Sequence, residues 1–222
     1  MYRIGDEEIK AVERVIRSRQ LFRFNEGSKE VENFEKELAE KIGTKYSLAV
    51  TGGTGALICT LVGIGAGPGD EVIVPAYTFM ATALAVVAVG AIPVIAEVDD
   101  SLTIDPDDVE KKISKYTKAI IPVHMLGLPS NMDRILEIAK KYNLKVIEDC
   151  CQADGGSYRG KRLGSIGDAG AFSFNYFKII SAGEGGAIVT NDETIYERAL
   201  IYHDGGTAFR AHSVTLKTPI FI

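Results

Sequence analysis

Cysteine is scarce in this chain: three residues in 222, Cys59, Cys150 and Cys151, an odd number with the last two adjacent. That pattern excludes a disulfide framework and the ligand spacing of a structural zinc site, and it fits a reducing cytoplasm. Small buried thiols are the plain reading of all three. Blocks of like charge are also missing. With a net charge of −5 and a pI near 5.3, nothing invites nucleic acid or an anionic membrane surface, so a small-molecule partner is expected. The opening MYRIGDEEIK has acids where a secretory leader needs basic residues and then an apolar run, so export is not expected. The longest apolar run, residues 80–96, is broken by Gly90 and Pro93 and reads as helix, turn and strand rather than as a membrane span. No internal repeat or low-complexity linker occurs. What remains, 46% hydrophobic and 25% charged, is the composition of an ordinary folded chain long enough for a sizeable core.

Two amphipathic helices open the chain, with Ile9, Val12 and Ile16 on the first and Val31, Phe34, Leu38 and Ile42 on the second. Spacings of three and four predict one buried face on each. Ser28 is a candidate N-cap for the second helix, and Gly43 falls where a left-handed C-terminal residue belongs. From Tyr46 the pattern changes to short β-branched runs, YSLAV, EVIV, PVIAEV, KAIIPV and KVIED, separated by segments of helical length. This alternation predicts βαβ units and a mostly parallel sheet covered by helices on both faces, a three-layer α/β/α fold. Asp105 before Pro106, and Asn131 before MDRILEIAKKY, are helix starts. Thr78 opens FMATALAVVAVG, a helix of small apolar residues expected in the interior. The turn AGEGG followed by AIVT predicts a hairpin-like return, after which Asn191 is expected to cap a helix through Tyr202.

Ligands of parallel sheets sit beyond the carboxyl ends of the strands. After YSLAV comes TGGTGAL, a glycine-rich turn into a helix, where backbone N–H groups and the helix dipole can hold a phosphate. It is neither a Walker loop nor G-x-G-x-x-G, and a tight ligand-free turn accounts for it equally well. After KVIED, Asp149 and Gln152 are either a capping box or a strand-end carboxylate able to keep a heteroaromatic nitrogen protonated. After EVIV, Tyr77 and Phe79 are core residues or a stacking surface for a flat ring. Lys178 lies in SFNYFKIISAGEGG, an apolar and aromatic run. Its stem lies on apolar neighbours with its head in water, or it is an amine nucleophile for a carbonyl compound. Together, a phosphate cradle, an aromatic face, a strand-end acid and a lysine in apolar surroundings are the parts that hold pyridoxal 5′-phosphate.

On these residues the chain resembles the DegT/DnrJ/EryC1/StrS family of sugar aminotransferases. The likeness runs from about residue 4 to 203 and is densest in IGDEEIKAV, GPGDEVIVPAYTF, KAIIPVHMLGLPSNMD, KVIEDCCQADGG and GDAGAFSFNYFKIISAGEGGAIVTND. The resemblance implies the large domain of the type I pyridoxal-phosphate fold, with helices over 1–44 and an α/β core over 45–203. It implies Lys178 as the Schiff-base lysine, Asp149 as partner of the pyridine nitrogen, Gln152 near the ring hydroxyl and Phe79 stacked on the ring. Gly53, Thr54, Gly55 and Ser173 would hold the phosphate; no metal is implied. It further implies amino transfer from an amino acid, usually L-glutamate, to a nucleotide-linked keto sugar, in a cytoplasmic homodimer. Dehydratases of this family carry histidine in place of the lysine, so Lys178 favours transamination over sugar dehydration.

Two departures from the family pattern stand out. Tyr202, His203, Asp204, Gly205 and Gly206 occur where Asn-His-Gly is usual, and family chains continue into a small C-terminal domain that this sequence is expected to lack. The tail over 204–222 carries no readable pattern. A truncated, non-catalytic module that binds the cofactor or another subunit is therefore the second expectation, beside an active aminotransferase.

Overall fold

In the computed structural model, which describes residues 4–23 and 29–205, the apolar runs of the sequence fall into one seven-stranded sheet. The chain contributes helices α1 (Asp6–Ser18) and α2 (Glu30–Ile42), then β1 (Tyr46–Val50), α3 (Gly53–Gly63), β2 (Glu71–Pro75), α4 (Ala81–Ala88) and β3 (Ile92–Ala96). There follow α5 (Pro106–Lys112), β4 (Thr117–Ile120), α6 (Met132–Tyr142) and β5 (Lys145–Asp149). A small hairpin of β6 (Ser157–Tyr158) and β7 (Lys161–Arg162) precedes β8 (Ala169–Ser173), β9 (Gly186–Thr190) and α7 (Glu193–His203). The sheet order is β1-β9-β8-β5-β4-β2-β3.

The pairs from β3 through to β8 are parallel, whereas β9 is antiparallel to both β8 and β1. Only β9 thus runs against the rest of this sheet, because it returns directly from β8 as a hairpin instead of crossing over through a helix. The carboxyl ends of β1, β2, β4, β5 and β8 therefore share one edge, and the loops that follow them are brought together there.

Helices cover both faces, which explains the near-continuous apolar strands. On one side Leu57 and Leu61 of α3, Ala85 of α4 and Ile195 and Leu200 of α7 pack on Leu48, Val72 and Ile188. On the other, Val109 of α5 and Met132, Ile135 and Ile138 of α6 pack on Ile73, Ile120 and Val146. Ile42 of α2 joins Phe172, Ala187 and Val189 on that second face. Each fully buried leucine or isoleucine contributes about 1.5–3 kcal/mol of transfer free energy.

Local signals are met at several predicted places. Asp105 accepts from the Asp107 amide at 2.9 Å with Pro106 as the first helical residue, and Asn131 accepts from the Arg134 amide at 3.3 Å. Gly43 ends α2 in the left-handed region at φ 85°.

Four expectations differ from the structure, and Ser28 lies outside the described residues. Helix α1 buries no residue: Ile9, Val12 and Ile16 are about 60% exposed, an apolar stripe facing away from the core. Helix α4 begins at Ala81, and only one face of it is interior. Thr82, Ala85 and Val86 are buried while Leu84 and Val87 stand exposed, because the helix lies on the outside of the layer. The cap of α7 is Asp192, whose carboxylate accepts from the amides of Thr194 and Ile195. Asn191, one residue earlier, instead accepts from the Lys45 amide at 3.0 Å and ties β9 to the start of β1. Finally, no helix follows β5: residues 150–156 form turns, so Asp149 and Gln152 are not a capping box.

At the far end of α7, Asp204 approaches His203 Nδ1 at 2.7 Å and Arg23 Nη1 at 3.6 Å. Arg23 also pairs with Glu35 and donates to the Ala49 carbonyl at 3.1 Å, fastening the segment after α1 to β1. Gly206 lies outside the described residues. Among those residues no helix is long and apolar enough to cross a membrane.

Candidate active site

At the shared strand edge lies a cavity of about 420 Å³, lined at its base by the loops after β1, β5 and β8 and at its mouth by residues 174–185. Its polar groups come from far apart in the sequence.

The loop after β1 enters α3 directly. An α-helix begins with N–H groups that lack intrahelical partners, and no described side chain caps those of α3. Gly53, Thr54 and Gly55 all line the cavity there, so their amides and the positive end of an eleven-residue helix face it. Gly53 is needed for space. A Cβ at that position would lie 2.7 Å from Ser173 Cβ and 2.9 Å from Cys151 Sγ. Ser173, the last residue of β8, is buried with its hydroxyl at the same wall. The first amides of α3 and the Ser173 hydroxyl are hydrogen-bond donors of the kind that suit an anion.

Beside this corner lies Asp149, at the end of β5 and 4% exposed. One carboxylate oxygen accepts from the Cys151 amide at 3.1 Å and the other from the Thr82 hydroxyl at 2.8 Å. Thr82 is itself linked to Thr78 across 2.7 Å. The acid is thus fixed by a helix 67 residues away in sequence while it lines the cavity. Thr82 was not singled out in the sequence. A lone hydroxyl residue inside an apolar helix is the only local signal it gives.

Gln152 lines the cavity and accepts from the Leu126 amide at 3.3 Å. This bond helps hold the sharp turn in which Leu126, at φ 53°, is left-handed. Phe79 is 62% exposed and lies at the mouth, its ring centroid 5.9 Å from Lys178 Nζ. Tyr77 does not line the cavity. Lys178 is half-buried on the 174–185 loop, whose backbone is stitched by Lys178 N–H to Asn175 O at 2.9 Å and Tyr176 N–H to Gly183 O at 2.9 Å. Asn175 donates to Glu184 at 2.7 Å across the loop. The eight residues to which the family resemblance gave a role therefore border one cavity, and Tyr77, the other stacking candidate, does not.

Burial, and then the Asp149 charge, push the Cys151 thiol well up; burial and then Glu148 do the same to Cys150. Both stay protonated and serve as packing rather than as nucleophiles. Asp154, five residues past Asp149, is raised by burial from an ordinary 3.8 to about 6, a rise opposed by the Ile180 amide and by Lys178.

Behind β5 sits a second polar cluster that the sequence did not reveal. Glu148, fully buried, accepts from the amides of Ile166 at 2.7 Å, Gly167 at 2.8 Å and Gly164 at 2.9 Å, and meets His124 Nε2 at 3.1 Å. His124 Nδ1 accepts from the Ser130 amide at 3.1 Å, so the ring proton is on Nε2 and points at Glu148. Cys150 lies close enough to complete a ligand trio, but both imidazole nitrogens and the carboxylate are already engaged. This cluster braces the fold, holding the loop before β8 against β5.

A strand-end acid, a helix-start anion corner and a loop lysine around one cavity define an α/β domain suited to a flat, phosphorylated ring. The chain belongs to the DegT/DnrJ/EryC1/StrS aminotransferase family, whose profile matches residues 2–218. It is 43% identical over 179 residues to GDP-perosamine synthase of Escherichia coli O157:H7, an alignment covering 80% of this chain and 49% of that one. It superposes on 3-amino-5-hydroxybenzoic acid synthase with a TM-score of 0.89 at 36% identity, covering 98% of this chain and 57% of that one. The PLP form of the sugar aminotransferase Spr1654 from Streptococcus pneumoniae superposes with a TM-score of 0.79 at 29% identity, covering 89% and 55%. The chain spans about half the length of the curated relatives it matches.

Proposed function

We propose that this chain is the cofactor-binding part of a pyridoxal-phosphate aminotransferase that moves an amino group from an amino acid, L-glutamate in the first instance, to a nucleotide-linked keto sugar. The observation that carries the reading is that Lys178 and Asp149 border the same cavity, with Phe79 at its mouth and the start of α3 at its base. A free ring of this kind supplies an electron sink that protein side chains lack. The residues present fit it. The amides of Gly53, Thr54 and Gly55 and the Ser173 hydroxyl would hold the phosphate, and Phe79 would cover the ring face. Gln152 would sit near the ring hydroxyl, and Asp149, held by Thr82, would keep a proton on the ring nitrogen. The Lys178 amine would anchor the cofactor and then carry the proton at the substrate carbon, a general acid–base role that also asks for a half-sheltered position.

Nucleotide-sugar chemistry is supported by likeness to GDP-perosamine synthase, and it is proposed here for the whole protein rather than for the described residues alone. A cytoplasmic homodimer goes with it. The three free thiols agree with a reducing compartment, and Phe177 at the cavity, with Ile179 and Leu126, are exposed apolar side chains that a second copy would cover.

The test is borohydride reduction of the protein with pyridoxal 5′-phosphate, followed by peptide mapping. One pyridoxyl group on Lys178, and a visible band that glutamate bleaches, are expected. A label elsewhere overturns the lysine assignment. A band that ignores every amino donor leaves a binding module without turnover.

A further inference from the structure

Leu126 holds a backbone conformation that its own residue type resists. At φ 53° and ψ 27° it is left-handed, where the Cβ of an L residue crowds the following carbonyl. Its side chain is 68% exposed, so packing within the chain does not hold it there. Hydrogen bonds do. The His124 amide donates to the Asp149 carbonyl at 3.1 Å, the Gly127 amide to the His124 carbonyl at 3.3 Å and the Leu128 amide to the Met125 carbonyl at 2.9 Å. The Leu126 amide itself donates to the side-chain oxygen of Gln152 at 3.3 Å, and Gln152 lines the cavity.

The turn is pinned from behind by the His124 ring. His124, Glu148 and Ser130 are all fully buried. Nδ1 accepts from the Ser130 amide at 3.1 Å, and the Ser130 hydroxyl donates to the Val123 carbonyl at 3.0 Å. Nε2 donates to Glu148, which the amides of Gly164, Ile166 and Gly167 fix in turn. Side chains alternate along a strand, so Glu148 faces away from the cavity that Asp149 lines. One strand end thus presents an acid on one face and grips the neighbouring loop on the other. Strained backbone persists only where its surroundings over-determine it, and such places cluster at ligand sites.

We propose that His124 is a positioning residue for Gln152: clamped between Glu148 and Ser130, the imidazole holds residues 124–128 in the strained turn, and the Leu126 amide fixes the Gln152 carboxamide by its oxygen. The carboxamide NH2 is then the end left to donate, which suits an anionic ring oxygen. This rests on the reading of the cavity as a pyridoxal-phosphate site.

The first measurement uses cofactor-free protein. In His124→Asn, which drops the donor to Glu148, amide hydrogen exchange at Leu126 should speed by about tenfold or more while exchange at Ile147 in β5 is unchanged. Equal acceleration at both amides, or none at Leu126, means a purely structural role and overturns the proposal. The second is a pH titration of the visible band in protein loaded with pyridoxal 5′-phosphate. A donor on an anionic oxygen favours the deprotonated form, so its loss should raise the midpoint by about one pH unit. Gln152→Ala and His124→Asn should each do so, and the two together should do no more than either, because both act through one bond. A midpoint that stays in place in either single variant, or that rises further in the double variant, overturns the proposal alone. A wild type with no visible band overturns the cofactor reading and this proposal with it. If His124→Asn does not fold, Gln152→Ala decides in cofactor-free protein. Coupling is reciprocal, so with the acceptor gone the Gly127 and Leu128 amides should exchange faster, and unchanged exchange overturns the proposal.

Discussion

The base and the mouth of the cavity are built on opposite principles. At the base, Asp149 is 4% exposed, ends a central strand and accepts hydrogen bonds from Cys151 and Thr82. At the mouth, Lys178 rides a loop whose neighbours face water, and Phe79 is 62% exposed. The difference teaches where precision resides: the acid is set by the sheet itself, while the lysine is set by the backbone turns of its loop. Under the proposed amino transfer, the amine that is displaced and returned is carried by the loop, and the acid that stays in place is carried by the sheet.

The largest effect expected is at the mouth. Lys178→Ala should abolish borohydride labelling outright while leaving the melting temperature nearly unchanged, because a half-exposed loop lysine contributes little to the core; labelling that persists removes the distinction between the two regions. Next comes the base. Asp149→Asn keeps the shape but loses the charge, and turnover should fall on the order of a hundredfold or more, as for loss of a positioned acid–base group. Turnover within a factor of a few of wild type would mean that the acid serves the fold alone.

Thr82→Val should be smaller. It leaves one Asp149 oxygen without its donor at nearly constant volume, a cost of about 1–3 kcal/mol that chemical denaturation would measure. A gain in cofactor affinity in this variant would show that Thr82 is a restraint rather than a support.

The smallest effect concerns pH. Asp154 is raised in the fold from 3.8 to about 6, so its contribution to stability is fully present below 3.8 and is lost as pH rises through 6. Melting of cofactor-free Asp154→Asn, relative to wild type, should improve progressively from pH 4 to pH 7. A constant difference across that range would mean that the acid titrates alike folded and unfolded.

Much of the base was legible from sequence because it is local. The apolar runs YSLAV and KVIED coincide with β1 and β5, so the residues placed just beyond strand ends do lie there. Asp105 and Asn131 were readable as caps because a cap bonds two or three residues ahead. What was not legible depends on distant partners. The Thr82–Asp149 bond spans 67 residues and the His124–Glu148 contact 24, and neither leaves a periodic trace. The misreading of α1 has the same origin: Ile9, Val12 and Ile16 have the spacing of a buried face, but spacing does not say what covers it. Asn191 and Asp192 are adjacent residues that can both cap, and only the tertiary link from Asn191 to Lys45 decides between them.

The reversed strand β9 has a consequence for how the lysine is carried. Ser173 and Gly186 face each other across the β8–β9 ladder, and a Cβ at Gly186 would lie 2.5 Å from the Gly52 carbonyl. The twelve residues between them leave and re-enter the sheet through adjacent slots, like the two ends of a buckle. Sliding that hairpin by one residue would turn Ser173 to the other side of the sheet and push a side chain into the turn that opens α3. Tension on the lysine segment is thereby passed straight to the turn at Gly52 that opens α3.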